Sequence, residues 1–294
     1  MIMRRFLLLF SLLTGVLATS WETTAQQNVT GTNIIQATDY VAANGGGDGS
    51  AANPWHGAAI QAALNAASAG DTVYLAAGNW SLSGTPVVSS VSNITLTGAG
   101  SGNTFDAYGH PNNGKGGPVG TYTRIATDTR YGTAAWLQFV DCSNVTVSHI
   151  YVDGSQATAG GDERGTLNFR SCPDPYVAPT APGPDVDDIR VLSYAKSNIS
   201  PEPQFFIQFS NNATVQNSIF AEALATNNTY SGAQVFQSQE QTNQLIKNNL
   251  FYEFAANPFY MDDVTFTGNA TVMRYDGLGV PFVGIHRSIL QHLV

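Results

Sequence analysis

The chain has 294 residues, with 12 Lys and Arg against 21 Asp and Glu and a formal charge of −9. Charged residues make up only 11% of it, and Gly, Asn, Ser and Thr are abundant, a composition that favours strands and tight turns over helices. The excess of acid argues against a nucleic-acid partner, whose binding needs Lys and Arg on phosphates; it leaves open an anionic polysaccharide held by one cationic cleft or a bound cation.

The first segment, "MIMRRFLLLFSLLTGVLATS", places Arg4 and Arg5 before an apolar run from Phe6 to Leu17 and then small residues. That is the layout of a secretory leader, assigned to residues 1–25 with cleavage after Ser20 or after Ala25. Cleavage after Ser20 leaves 10 basic residues against 21 acidic ones. The run is short for a bilayer span and no later stretch is apolar enough, so the expected product is secreted and has no membrane span. Residues 26–294 suffice for one large domain.

A compact helix is expected over Asn53–Ala67. Asn53 is a capping residue, Pro54 suits the first helical position, and Ile60, Ala63, Leu64 and Ala67 share one face. The strand "DTVYLAAG" follows and is read as the first strand of the coil beneath it. Further on, internal repeats dominate. "SNITLTG", "SNVTVSH", "DDIRVLS", "NNATVQN", "TNQLIKN" and "GNATVMR" each set a turn residue before a short strand, at Asn93, Asn144, Asp188, Asn212, Asn243 and Asn269. Their separations are 51, 44, 24, 31 and 26 residues, the long values marking inserted loops. A second series, "WLQFV", "TLNFR", "FIQFS", "AQVFQ" and "FYMDD", centres on Gln138, Asn168, Gln208, Gln234 and Tyr260, each flanked by apolar residues. Two series repeating together predict an all-β, three-sided solenoid whose windings stack at about 4.8 Å. Asn at a fixed turn tolerates the left-handed backbone and can bond the next amide of a column. The helix then serves as a lid over the raw N-terminal end.

Cys142 and Cys172 stand four residues after Gln138 and Asn168. Equal offsets place them in neighbouring windings, and a disulfide is expected in a secreted chain. "LGVPFVGIHRSILQHLV" lacks a turn signal and reads either as a terminal cap or as the interruption of a longer coil.

The segment Tyr40–Leu82, with its Gly/Asp-rich loop, "AIQAA" helix, "GDTVYL" strand and "GNW" turn, resembles the N-terminal region of right-handed parallel β-helix proteins of the pectin-lyase-like superfamily. The resemblance implies that fold with a short N-terminal capping helix. It leaves the reaction open, because the superfamily holds lyases, hydrolases, epimerases, esterases and non-catalytic proteins. It also implies substrate lying along one flat sheet between loops such as 101–123 and 173–188. On this chain that sheet offers Gln138, Asn168, Gln208, Gln234 and Phe236 to an extracellular polysaccharide. Arg170, Tyr260 and Asp262 are the candidates for lyase-type elimination on a uronic-acid-containing glycan. Arg170 and Asp262 are three windings, roughly 14 Å, apart and cannot act on one bond. Glu240 and Lys247 form a further weak pair. The resemblance makes calcium a candidate cofactor; no metal ligand set is read from the residues themselves. The hydrolase reading is lowered by the absence of the Asn-Thr-Asp, Gly-His-Gly and Arg-Ile-Lys motifs of polygalacturonase-like members, and His149, without flanking glycines, reads as structural. A non-catalytic adhesive solenoid is the alternative to a polysaccharide lyase.

Overall fold

The computed structural model describes residues 33–82, 86–105, 111–112, 121–126, 137–153, 167–174, 176, 178, 180–193, 205–222, 234–252, 255–272 and 289–291. The leader expected at residues 1–25 lies outside them.

The described strands wind into a coil with three faces, all paired in parallel apart from one small hairpin, Thr104–Phe105 with Pro111–Asn112, inside the first long insertion. Face one stacks Ile34–Gln36, Thr72–Leu75, Ile94–Gly98, Val145–Ser148, Asp185–Asp187 and Thr214–Gln216, then the C-terminal parts of Gln234–Lys247 and Ala255–Thr267. Face two stacks Trp55–His56, Gly78–Ser81, Thr123–Ala126, Ile150–Asp153, Arg190–Ser193, Ile219–Glu222, Leu250–Tyr252 and Ala270–Val272. Face three stacks Val87–Ser89, Leu137–Val140, Leu167–Arg170 and Phe205–Gln208 with the N-terminal parts of the two long strands. The expected solenoid is therefore present, and a winding is one strand from each face.

Alternation along each strand sends one set of side chains inward. On face two these are Trp80, Ile125, Val152, Val191, Phe220 and Phe251, paired in sequence and at most 5% exposed. On face three Phe139 stacks on Phe169 at 5.3 Å, and Phe169 meets Phe205 edge-on at 6.1 Å. Phe205 in turn touches Phe220 of face two at 5.3 Å. Each ring thus covers its neighbour above or below, so the core is continuous along the coil axis.

The turn asparagines sort into two corners. Asn93, Asn144, Asn212 and Asn243 lie between faces three and one, at φ between 51° and 56°. Asn144 donates its amide to Asn93 Oδ1 at 3.0 Å, and Asn243 donates to Asn212 Oδ1 at 2.6 Å. Asp188 and Asn269 belong to the next corner, between faces one and two, because "DDIRVLS" and "GNATVMR" supply face-two strands. There His149, Asp188, Asn217 and Asn248 hold the positive φ, and Asn248 donates to Asn217 Oδ1 at 2.7 Å. Asn269 sits one residue further on, buried, accepting from the backbone and side chain of Asn249 at 2.8 and 3.1 Å.

Three expectations are corrected. The helix runs Gly57–Ala66, with His56 rather than Asn53 as its cap, accepting from the Ala58 N–H at 3.3 Å. Trp55–His56 is held as a strand by Trp80–Ser81, and this pairing overrides the local cap signal at Asn53 and Pro54. The strand Thr72–Leu75 is not the first, since Ile34–Gln36 pairs with it. Cys142 and Cys172 are buried and stacked as their equal offsets predict, yet they are free thiols. Cys172 Sγ lies 3.3 Å from the Arg170 carbonyl oxygen, and its proximity, followed by burial, pushes the Cys142 thiol up. In the C-terminal tail a strand, Ile289–Gln291, pairs with Thr265–Thr267 on face one.

The helix does close the N-terminal end. Ile60, Ala63 and Leu64 are buried in the core. The Gln61 side chain donates to the Val88 carbonyl at 2.9 Å and accepts from the Val88 N–H at 2.7 Å. Its amide thereby replaces the missing strand beside the first strand of face three.

Candidate functional site

Face three was the expected groove, and register decides which residues share a file. Gln138 pairs with Asn168 as expected. The next winding is displaced by two residues: Phe206, not Gln208, pairs with Asn168, and Gln208 pairs with Arg170. The register files are thus Val88, Gln138, Asn168, Phe206, Gln237, Asn257 and, beside it, Val140, Arg170, Gln208, Gln239, Phe259. Gln138 and Asn168 are only 6% and 3% exposed, so this stretch of the first file is closed to solvent. In the second file Arg170 is exposed and Val140 and Gln208 are half-buried.

The other predicted positions fall elsewhere. Phe236 pairs with Phe205 and so shares the register file of Leu137 and Leu167, not that of Gln138. Gln234 pairs with Ala255, before an irregularity that ends at Gln237. Tyr260 lies between Phe259 and Met261, the partners of Gln239 and Gln241, where face three turns into the corner. Asp262 pairs with Thr242, next to the corner residue Asn243. Arg170 remains three windings from the Tyr260 and Asp262 strand, roughly 14 Å. The Glu240 side chain lies outside the described residues; Lys247 is exposed on face one.

Face one presents a polar surface that the sequence reading passed over. Its outward files run Thr72, Thr95, Thr146, Asp185, Thr214 and Tyr74, Thr97, Ser148, Asp187, Gln216. Asp185 and Asp187 share a face because they are two apart. The "DVD" alternation at Asp185–Asp187 carries that signal, whereas the adjacent pair Asp187–Asp188 does not. Burial, then the neighbouring Asp187, pushes the Asp185 carboxyl up. Asn217 donates to Asp187 at 2.7 Å. At the corner above, Asp188 accepts from Ser101 Oγ at 2.7 Å and Asn103 Nδ2 at 3.1 Å. His149 lies 3.3 Å from Thr97 Oγ1 and 3.8 Å from Asp188 Oδ2, so it braces the coil, as expected. Among the described residues no group of three or more His, Cys, Asp or Glu is placed to hold a metal ion; these residues do not fit a calcium site.

The three parallel faces, the corner amides and the N-terminal helix decide the architecture. The chain has a parallel β-helix fold. No protein-family model and no curated protein matches the sequence of this β-helix. Among solved structures, Geobacillus virus E2 ORF18 is 14% identical with a TM-score of 0.47, covering 88% of this chain and 47% of its own. A candidate glycosyl hydrolase from Parabacteroides merdae is 11% identical with a TM-score of 0.45, covering 84% of this chain and 98% of its own. The alginate lyase AlyGC is 12% identical with a TM-score of 0.33, covering 94% of this chain and 42% of its own. The β-helix therefore spans less than half of the viral protein and of the lyase. At these scores the likeness adds nothing to what the register establishes and says nothing of activity. Among the described residues no helix is long and apolar enough to cross a membrane.

Proposed function

We propose that this β-helix acts outside the cell on a uronic-acid-containing polysaccharide laid along face three, and cleaves it by elimination. The observation that carries the reading is Arg170, an exposed guanidinium on a strand whose register file continues through Gln208, Gln239 and Phe259. Its fork matches a carboxylate in two parallel hydrogen bonds. Neutralising that carboxylate lowers the cost of withdrawing the proton on the adjacent carbon. Solvent water takes that proton, its C–H electron pair becomes the new carbon–carbon double bond, and the glycosidic C–O bond beyond it breaks, the departing oxygen taking a proton from water, which leaves an unsaturated sugar end. Gln208 binds hydroxyls beside Arg170, and the buried Gln138 and Asn168 hold the floor of the groove. Tyr260 and Asp262 serve a sugar farther along the same chain.

A second reading, a binding module without chemistry, is favoured by one observation. The register neighbours of Arg170 are Val140 and Gln208, neither of which can take a proton from carbon. Incubation with polyuronates separates the two. Ultraviolet-absorbing products that disappear with Arg170→Ala support elimination. Binding without such products supports the module. Neither cleavage nor binding across acidic and neutral glycans removes both.

A further inference from the structure

The corner between faces three and one carries a second column beside the file of Arg170, which neither reading uses. Asp141, Ser171 and Phe209 follow Val140, Arg170 and Gln208 in the chain and hold φ at 51°, 53° and 48°. The Asp141 N–H donates to the Arg170 carbonyl at 3.0 Å, and the Ser171 N–H donates to the Gln208 carbonyl at 2.9 Å. The two columns thus run in step through successive windings, about 4.8 Å apart: Val140 with Asp141, Arg170 with Ser171, Gln208 with Phe209. Asp141 and Arg170 are exposed, whereas Ser171, Gln208 and Phe209 are half-buried. Among the described residues no ion pair joins the Asp141 carboxylate to the Arg170 guanidinium, although their backbones are bonded. The two charges face solvent separately.

Along the coil axis this edge of face three therefore offers a carboxylate, then a guanidinium, then an amide beside a ring. A sugar chain laid along the face, with pyranose units that advance by roughly one winding, meets these in turn. The winding of Arg170 takes a carboxylate. The winding of Asp141 offers an acceptor only, which suits a hydroxyl and repels a second carboxylate. The winding of Gln208 and Phe209 suits an uncharged sugar, with its hydroxyls on the amide and its C–H side on the ring. A chain made of uronic acids alone sets one carboxylate on Arg170 and brings the next ones toward a like charge or an uncharged amide. A chain that alternates uronic acid with neutral sugars brings only hydroxyls to those positions.

We infer that Asp141 is a specificity-determining residue of the face-three groove, which it restricts to glycans whose uronic acids are flanked by neutral sugars. The inference rests on the face-three reading and narrows its substrate class. Asp141 accepts from a hydroxyl of the sugar next to the one held by Arg170, and its charge keeps a carboxylate out of that position.

The test is calorimetric titration of the full chain with hexasaccharides of hyaluronan and of rhamnogalacturonan, which alternate uronic acid with neutral sugars, and with hexagalacturonate. Wild type is expected to bind at least one alternating ligand about tenfold more tightly than hexagalacturonate at low salt. The gap is expected to shrink at high salt, where exposed charges are screened. Asp141→Asn keeps the left-handed backbone and an acceptor oxygen but loses the charge. It is expected to tighten hexagalacturonate about threefold and to leave the alternating ligand nearly unchanged. Asp141→Gly also tolerates this backbone but offers no acceptor, and is expected to weaken the alternating ligand about threefold. Hexagalacturonate bound by wild type as tightly as both alternating ligands, or a gap unchanged in folded Asp141→Asn, overturns the role of Asp141. The face-three reading then still stands if Arg170→Ala abolishes binding. Binding untouched by Arg170→Ala, or no binding of any of the three ligands, overturns the face-three reading and this inference with it.

Discussion

Asn144 shows how one residue type serves two purposes in this chain. It holds φ at 51° and donates its amide to Asn93 in the winding before. Asn144→Ala loses both the left-handed tolerance and the amide bond, an expected cost of about 2 kcal/mol. Asn144→Gly loses only the bond and should cost about 1 kcal/mol less; urea unfolding of both variants checks the order. The column was legible in the sequence because Asn is among the few residues that favour this backbone. Its corner was not, because Asn217 and Asn248 meet the same need one strand later. Asp185 gives a pH prediction of defined sign. Its carboxyl is raised above 3.8 in the fold, by burial first and by Asp187 next. The fold therefore favours the protonated form. That contribution is fully present below the unfolded value of 3.8 and is lost as pH rises through the folded value. Asp185→Asn is expected to raise Tm at neutral pH and to show no such gain well below pH 3.8, as thermal melts across pH would reveal.

At the scale of elements, stability rests on rings and edges stacked between windings. Phe169 is fully buried between Phe139 and Phe205. Phe169→Ala is expected to cost about 3–5 kcal/mol, because rigid neighbours on both sides cannot collapse into the space; equilibrium unfolding measures it. Gln61 closes the edge at Val88 with two hydrogen bonds. Gln61→Ala is expected to lower stability by about 1 kcal/mol and to increase self-association through the opened edge, detectable by sedimentation. The helix was legible from the spacing of Ile60, Ala63 and Leu64, but its start was not, because the partner of Trp55–His56 is twenty-five residues downstream at Trp80–Ser81. Face two was hidden as a series for a similar reason. A corner of one or two residues, such as His149 or Asp188–Ile189, joins it to face one, so its strands read as continuations of the strands before them.

At the scale of the whole molecule, the winding places residues far apart in sequence into files, and function follows from which residues share a file. The sequence reading placed Gln138 beside Asn168 correctly. It missed the two-residue displacement at Phe206, because a shift of two keeps the same alternation in "FFIQF", and only the pairing of Phe205 and Ile207 with Leu167 and Phe169 selects the register. Arg170 gains Gln208 as its neighbour through that displacement, which turns a lone charge into the centre of a polar strip. A chain with a formal charge of −9 that exposes a guanidinium on a flat sheet face has a local preference for anions despite its overall sign. The account therefore stands or falls on where an acidic sugar chain binds. The most direct measurement is a crystal structure with an uncleaved oligouronate. The predicted result is a sugar chain along face three with one carboxylate within hydrogen-bond distance of the Arg170 guanidinium and a hydroxyl on Gln208. No bound chain at saturating ligand, or a chain bound with Arg170 left in solvent, would contradict it.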